Sequence, residues 1–103
     1  MGRGKIAVQC SHAAVSAAEQ ARAKVPEWYE AWRAEGQAKI ALKVREVTSL
    51  LELERKAHAL HLPTYLVQDR GLTQVPAGTV TCLGIGPAPS GTLDILTRRL
   101  PLL

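Results

Sequence analysis

The chain has 103 residues, of which 47% are hydrophobic and 21% are charged. This composition is typical of a globular protein with one domain and argues against disorder. Phe is absent and aromatic residues make up only 4%, which argues against single-strand binders that depend on aromatic platforms. The net charge of +4 favours phosphate-rich partners such as nucleic acid, although a solvated surface with a mild basic excess would give the same value.

The chain has two cysteines, Cys10 and Cys82, and they lie far outside any C-x-x-C spacing. The sequence therefore indicates neither a zinc site nor a disulfide framework, and we expect two small buried side chains in a reducing compartment. No secretory signal is predicted. The uncharged run Leu72–Leu93 contains three prolines and four glycines, so it does not predict a membrane helix. We expect a soluble, cytoplasmic protein.

The first predicted element is a helix over Gly4–Lys24. It has an apolar stripe of small residues, which predicts close packing against a sheet. The stripe consists of Ile6, Cys10, Ala13, Ala17 and Ala21. A second, polar stripe either lines a site or faces water, and it consists of Lys5, Gln9, His12 and Ser16.

A second helix is predicted over Pro26–Glu35, with its proline in the first turn and Gly36 at its end. Its two tryptophans, Trp28 and Trp32, lie one turn apart and are interpreted as packing anchors rather than base-stacking residues. The next segment, Ala38–Val44, alternates between apolar residues and lysines. This pattern predicts a half-buried strand near a sheet edge.

A third helix is predicted to open with a capping box formed by Ser49 and Glu52 and to stop at Pro63. Its predicted buried stripe is Leu50, Leu53, Ala57 and Leu60. His58 and His61 have no acidic or cysteine companion, so they are interpreted as residues that favour the helix C-terminus, not as metal ligands.

Two strands follow, over Thr64–Gln68 and Thr79–Ile85, with turns at Asp69–Gly71 and Pro76–Gly78 between them. Glycines at 84 and 86 lack the context of a phosphate loop and predict a bulge or a close backbone approach. Ser90 is predicted to cap a last helix that reaches about Arg98. Helices that alternate with strands predict an α/β or α+β sandwich around a small mixed sheet.

Four blocks of the sequence resemble the archaeal and eukaryotic type of peptidyl-tRNA hydrolase, in the order of that family. They are Gly4–Ala17, Gly36–Ile40, Val67–Gln74 and Pro76–Pro87. The resemblance implies a three-layer α/β/α sandwich around a mixed sheet of about four strands. It also implies hydrolysis of the ester that joins a peptide to the terminal ribose of tRNA, which recycles tRNA from stalled translation, and it implies no metal or organic cofactor.

Members of this family open with an apolar strand of the pattern K-x-V-L-V-V-R-x-D-L, which has no counterpart here. We therefore expect residues 1–103 to be a truncated form of one peptidyl-tRNA hydrolase domain without its first strand. A sheet short of one strand exposes apolar surface that favours pairing, so a homodimer is one expected outcome.

The resemblance places four residues at the active-site positions of the family: Lys5, Asp69, Thr73 and Thr81. An ester hydrolase needs a positioned water and donors for the developing oxyanion. Asp69 is the candidate for orienting the water, and Lys5 for stabilising the oxyanion or holding the terminal phosphate. The two threonine hydroxyls are candidates for hydrogen bonds to the water or the ester carbonyl.

The resemblance also implies a tRNA-facing surface that binds phosphates and shape rather than bases. Its candidate residues are Gln9, His12, Arg3, Arg70, Lys39 and Lys43. Simpler interpretations remain: Asp69 and Arg70 fit an ordinary turn, and a lone His12 fits a solvated side chain. Two other functions remain open as well. One is a non-catalytic interaction or regulatory protein derived from the family, associated with mitochondria in some relatives, and the other is an RNA-binding module without turnover.

Overall fold

The structure, a computed structural model, describes residues 2–68 and 80–103. Its elements follow in the order α1 (Arg3–Lys24), α2 (Pro26–Ala34), α3 (Val47–Ala59), β1 (Thr64–Gln68), β2 (Val80–Ile85) and α4 (Ser90–Thr97). The predicted first, second and last helices and the strand Thr64–Gln68 are confirmed to within one residue at each end. The predicted turns between the strands, and residue 79 of the last predicted strand, lie outside the described residues.

The two strands form an antiparallel pair. Thr64 pairs with Ile85 at one end, and Val67 pairs with Cys82 near the other. Beyond that pair the register shifts, and Gln68 pairs with Val80. Among the described residues the sheet therefore has two strands, so the predicted sheet of about four strands is not confirmed.

Helix α1 packs against both strands through the predicted small-residue face. Ala13, Ala17 and Ala21 on this face are all buried, with at most 3% of their surface exposed. Small side chains let the helix backbone come close to the strand. At Gly84 on β2 a Cβ atom would lie 2.5 Å from the carbonyl oxygen of Ala13, which confirms the predicted close backbone approach.

Helix α3 also contacts both strands. Cys82 and Gly84 on β2 face α1. Because side chains alternate along a strand, Leu83 and Ile85 face away from α1. We infer that α3 covers this second face. Helices on a small sheet confirm the α/β class of fold.

The predicted strand Ala38–Val44 is wrong. This segment makes one isolated bridge, between Leu42 and Leu102, supported by a bond from the Lys43 amide to the Pro101 carbonyl. Ile40 is 76% exposed. An alternating pattern predicts a strand only if a neighbouring strand can satisfy its amides and carbonyls, and here the partner is only the short C-terminal tail.

The predicted N-terminal caps of the third and last helices are also wrong. Helix α3 begins two residues before Ser49, with Glu46 at the N-cap position and no side-chain cap. Glu52 does not reach back to the helix start, because its carboxylate binds the Arg55 guanidinium. At α4, Pro89 occupies the N-cap position in place of Ser90.

The predicted buried stripe of α3 is confirmed only in part. Ala57 is fully buried, whereas Leu60 is 38% exposed. His58 lies near the C-terminal end of α3, where its Nε2 is 2.9 Å from the Thr64 hydroxyl, so it links the helix to β1. None of the helices in the described ranges is long and apolar enough to cross a membrane.

Candidate active site

The first turn of α1 carries a concentration of positive charge. Arg3 and Lys5 lie in this turn, no acidic residue does, and the N-cap residue Gly2 provides no side-chain cap. The N-terminus of a helix is the positive end of its dipole and presents unpaired amides. Two cations at this end weaken the helix slightly but favour a bound anion, such as a phosphate or an oxyanion.

Two contacts give the direction of α1 relative to β2. The Sγ atoms of Cys10 and Cys82 are 4.0 Å apart. One helical turn further along, Ala13 lies against Gly84. The helix and the strand therefore run in the same direction.

This alignment locates the start of α1. Lys5 precedes Cys10 by more than one turn of helix, which is a rise of about 7 Å. Val80 precedes Cys82, the strand residue that contacts Cys10, by a similar length of strand. Lys5 and Gln9 therefore lie at the end of the sheet where β2 begins and β1 ends, since Gln68 pairs with Val80. The candidate residues Asp69, Arg70 and Thr73 belong to the segment between these two strands and lie outside the described residues.

A β-bulge occurs at this same end of the sheet. Cys82 pairs with Val67 and Val80 pairs with Gln68, which leaves Thr81 as the extra residue on β2. Bulges interrupt strict alternation and redirect a side chain, and they are common beside active sites. The Thr81 hydroxyl is 3.5 Å from the Val67 carbonyl oxygen, a long and therefore weak hydrogen bond.

The polar stripe of α1 is buried to different degrees around the helix. Gln9 is 5% exposed and is the buried polar residue of the described chain. Lys5 and Ser16 are half-buried, and His12 is exposed. Gln9 and Lys5 thus border the sheet, whereas His12 lies on the outer surface beside Val8 and Val15, in a shallow groove of about 330 Å³.

The candidate tRNA-binding lysines lie on other elements. The Lys39 ammonium donates a hydrogen bond to the Gln37 carbonyl at 2.8 Å and lies 5.3 Å from the centre of the Trp32 ring. Lys43 lines a larger, open groove of about 1100 Å³ between α3 and the C-terminal tail, which also contains Glu46 and Glu52. Lys5 and Gln9 lie one turn apart on the same side of α1, Arg3 is exposed in the first turn, and Lys39 and Lys43 lie elsewhere.

Sequence reasoning missed the bulge at Thr81 and the cysteine pair. Cys10 and Cys82 are separated by 72 residues and carry no spacing motif, so no local signal predicts their contact. Both are free thiols on half-buried residues, whereas we expected two buried side chains. Burial raises the pKa of the Cys82 thiol to about 11, and the neighbouring Cys10 contributes to this rise in pKa.

Comparison with known proteins identifies the family. The family profile described as peptidyl-tRNA hydrolase PTH2 matches residues 1–103. The chain is 45% identical to a peptidyl-tRNA hydrolase of Thermococcus onnurineus over 103 residues, which cover 100% of this chain and 87% of the relative. It is 46% identical to a peptidyl-tRNA hydrolase of Sulfolobus acidocaldarius over 108 residues, covering 100% and 90% of the two chains.

A mammalian relative is similar as well. The chain is 45% identical over 102 residues to the Bos taurus protein named peptidyl-tRNA hydrolase 2, mitochondrial, and the match covers 99% of this chain and 57% of that protein. The α/β fold, the two cations in the first turn of α1 and the neighbouring strand bulge are compatible with an ester hydrolase. The chain belongs to the peptidyl-tRNA hydrolase PTH2 family.

Proposed function

We propose that this protein is a peptidyl-tRNA hydrolase, which cleaves the ester between a peptide and the terminal ribose of tRNA and so returns tRNA to translation. Membership of the family over the whole chain is the observation that carries this proposal. The geometry supports it, because the cationic first turn of α1 lies at the end of the sheet where Thr81 forms the bulge. A phosphate or a developing oxyanion is stabilised by such a helix terminus.

Four residues carry the proposed reaction. Asp69 follows Gln68 directly in the chain and orients the attacking water through its carboxylate. Lys5 stabilises the negative charge that develops on the carbonyl oxygen, or holds the terminal phosphate, as a compact cation. The hydroxyls of Thr73 and Thr81 hydrogen-bond to the water or to the ester carbonyl.

The remaining candidate residues bind the tRNA. Gln9 borders the helix start as a buried amide, with Arg3 as an exposed cation one to two turns away. Arg70, His12, Lys39 and Lys43 extend the contact to phosphates along the acceptor end. Because phosphate contacts release counterions, the affinity for tRNA should fall steeply as salt rises.

We further propose that residues 1–103 act as one domain, in the cytoplasm, where peptidyl-tRNA is released from ribosomes. Mitochondrial association is the alternative, since the bovine relative is named mitochondrial. The proposed assembly is a homodimer, in which the exposed apolar side chains Ile40, Leu102 and Leu103 pair with a second copy. Light scattering over a range of protein concentrations tests this assembly.

The deciding experiment is release of an N-blocked amino acid from aminoacyl-tRNA by the purified protein, with two variants in parallel. Asp69→Asn removes the carboxylate of the proposed water-orienting residue. Asp94→Asn is the matched control, because Asp94 is the only other aspartate of the chain and is exposed on α4. We expect turnover by the unsubstituted and control proteins and a loss of at least about 100-fold for Asp69→Asn.

Two outcomes would contradict the proposal. If the unsubstituted protein binds tRNA without turnover, the chain is a binding or regulatory member of its family. If Asp69→Asn keeps turnover within a few-fold of the control, Asp69 does not orient the water.

A further inference from the structure

The strongest unassigned feature of the molecule is a pair of thiols that bridges two elements. Cys10 lies on the sheet-facing side of α1 and Cys82 on the helix-facing side of β2, with their Sγ atoms 4.0 Å apart. Both thiols are free and belong to half-buried residues, so neither residue is enclosed in the core. The chemistry of the proposed active site uses neither.

The backbones around the pair are already close. A Cβ atom built on Gly84 would lie 2.5 Å from the carbonyl oxygen of Ala13, which is one turn after Cys10 on α1. Helix and strand are therefore in direct contact beside the two thiols. A disulfide has a sulfur–sulfur distance of about 2.05 Å and needs Cβ atoms within about 4.5 Å of each other. The sulfurs must therefore approach by about 2 Å, which rotation about the side-chain bonds and a small shift of the helix start can supply.

We propose that Cys10 and Cys82 form a reversible disulfide that fastens the start of α1 to β2, with hydrogen peroxide as the oxidant. One thiol is first oxidised by peroxide to a sulfenic acid, which releases one water. The sulfur of the second thiol then attacks the sulfenic sulfur, and a second water leaves as the disulfide forms. In total two thiols lose two electrons and two protons, and one peroxide is reduced to two waters.

Burial makes Cys82 a poor first target for peroxide. Burial raises its pKa to about 11, so at neutral pH it is almost entirely protonated and reacts slowly with peroxide by itself. The Cys82 sulfur nevertheless lies beside the Cys10 sulfur, so a sulfenic acid formed on Cys10 would be next to the Cys82 thiol. The reaction therefore begins at Cys10 and ends with the bond to Cys82.

The bond would act on the candidate active site. Cys10 directly follows Gln9, and Cys82 directly follows Thr81 on the bulge. Drawing the two sulfurs together changes the spacing between the start of α1 and the bulge. We expect oxidation to lower turnover several-fold and reduction to restore it, and this expectation rests on the proposed function.

The test uses the unsubstituted protein first, because it contains only two cysteines and any intramolecular disulfide must join them. Native protein is treated with hydrogen peroxide, freed of the reagent and alkylated. We expect loss of both alkylatable thiols, a mass lower by about 2 Da and recovery of both thiols with dithiothreitol. The melting temperature of the oxidised form should rise by roughly 10 °C, because the bond closes a long loop.

Two variants and an unfolded control sharpen the test. Cys82→Val leaves Cys10, which should gain oxygen atoms or form mixed disulfides without the mass loss. Cys10→Ala leaves Cys82, which should be oxidised more slowly and again without the mass loss. Protein held unfolded in urea should form the internal bond much more slowly than native protein, because the folded structure holds the two sulfurs together.

Three results would overturn the proposal. The first is oxidation of native protein that adds oxygen without any internal bond. The second is formation only of disulfide-linked dimers on a non-reducing gel. The third is an equal rate of bond formation in folded and unfolded protein. If the bond forms but the oxidised protein, freed of peroxide, keeps full turnover, the effect on the active site is refuted. If the reduced protein has no turnover at all, the proposed function fails, and the mass measurement still decides whether the disulfide forms.

Discussion

Gly84 on β2 and Ala13 on α1 are in backbone contact. A Cβ atom at residue 84 would lie 2.5 Å from the Ala13 carbonyl oxygen and 3.1 Å from the Cβ of Ala17. The obstacle is main chain, which cannot rotate away as a flexible side chain would. The helix that carries the candidate cations is therefore held against the strand that carries Thr81 by a contact that only glycine permits.

We expect Gly84→Ala to destabilise the protein by about 1–3 kcal/mol, because α1 must move away from the sheet. Urea unfolding followed by circular dichroism measures the change. Gly91→Ala is the matched control, since Gly91 is exposed on α4 and a Cβ atom there would have no neighbouring atom within 4 Å. Alanine also favours a helix over glycine by about 0.5–1 kcal/mol. Equal stabilities of the two variants would show that the close contact does not constrain the fold.

Lys5→Ala should lower kcat/KM by about 100-fold, because it removes the cation that we assign to the developing negative charge. Lys24→Ala is the matched control: it removes the same residue type from the last turn of the same helix. Hydrolysis of an N-blocked aminoacyl-tRNA is measured for both, with urea unfolding to detect any loss of structure. A similar activity for the two variants would remove Lys5 from the mechanism.

The stability of the protein should fall as pH rises from about 9 to about 11. Burial raises the pKa of the Cys82 thiol from 9.0 to about 11, so the folded state holds this proton more tightly than the unfolded state does. The resulting stabilisation is fully present below pH 9 and is lost as pH approaches 11. Because Cys82 is only half-buried, solvent screening limits the effect to about 1–2 kcal/mol.

Urea unfolding at pH 8 and pH 10.5 measures this loss. Other groups also titrate in the range, so the comparison is with Cys82→Val, which lacks the thiol. We expect the loss of stability between the two pH values to be smaller in the variant. An identical loss in both proteins would show that the Cys82 thiol is not linked to folding.

Trp32→Phe should loosen the segment after α2. The Trp32 indole donates a hydrogen bond to the Ala38 carbonyl at 2.8 Å, and its ring lies 5.3 Å from the Lys39 ammonium. Removing the donor should cost about 0.5–1.5 kcal/mol and speed amide exchange in residues 37–43. Trp28→Phe, one turn earlier on α2, changes the same residue type and should leave that exchange unaltered; equal exchange in both variants would contradict the assigned role.

The helices were predictable because their signals are local. The spacing of small apolar residues along α1 indicated its length and the face it buries. The observed range Arg3–Lys24 confirms the length, and the buried Ala13, Ala17 and Ala21 confirm the face. Pro26 and Gly36 marked the limits of α2 for the same reason. The sequence blocks also carried the family, since they place lysine, aspartate and threonine residues in a recognisable order.

Elements that depend on a distant partner were not predictable in this way. Ala38–Val44 alternates as a strand does, but its pairing is limited to the bridge between Leu42 and Leu102. Ser49 and Glu52 have capping-box spacing, yet Arg55 binds the glutamate. A local pattern shows what a segment is able to form, and the available partners decide what it does form.

By itself, the sequence determined the class of fold, the buried face of α1 and the family, because periodicity and motif order are properties of neighbouring residues. Only the tertiary structure decided that Thr81 is the extra residue of a bulge and that the Cys10 and Cys82 sulfurs lie 4.0 Å apart. The physical reason is that both features arise where α1 and the two strands come together. Contacts between residues so far apart in the chain leave no periodic trace in it.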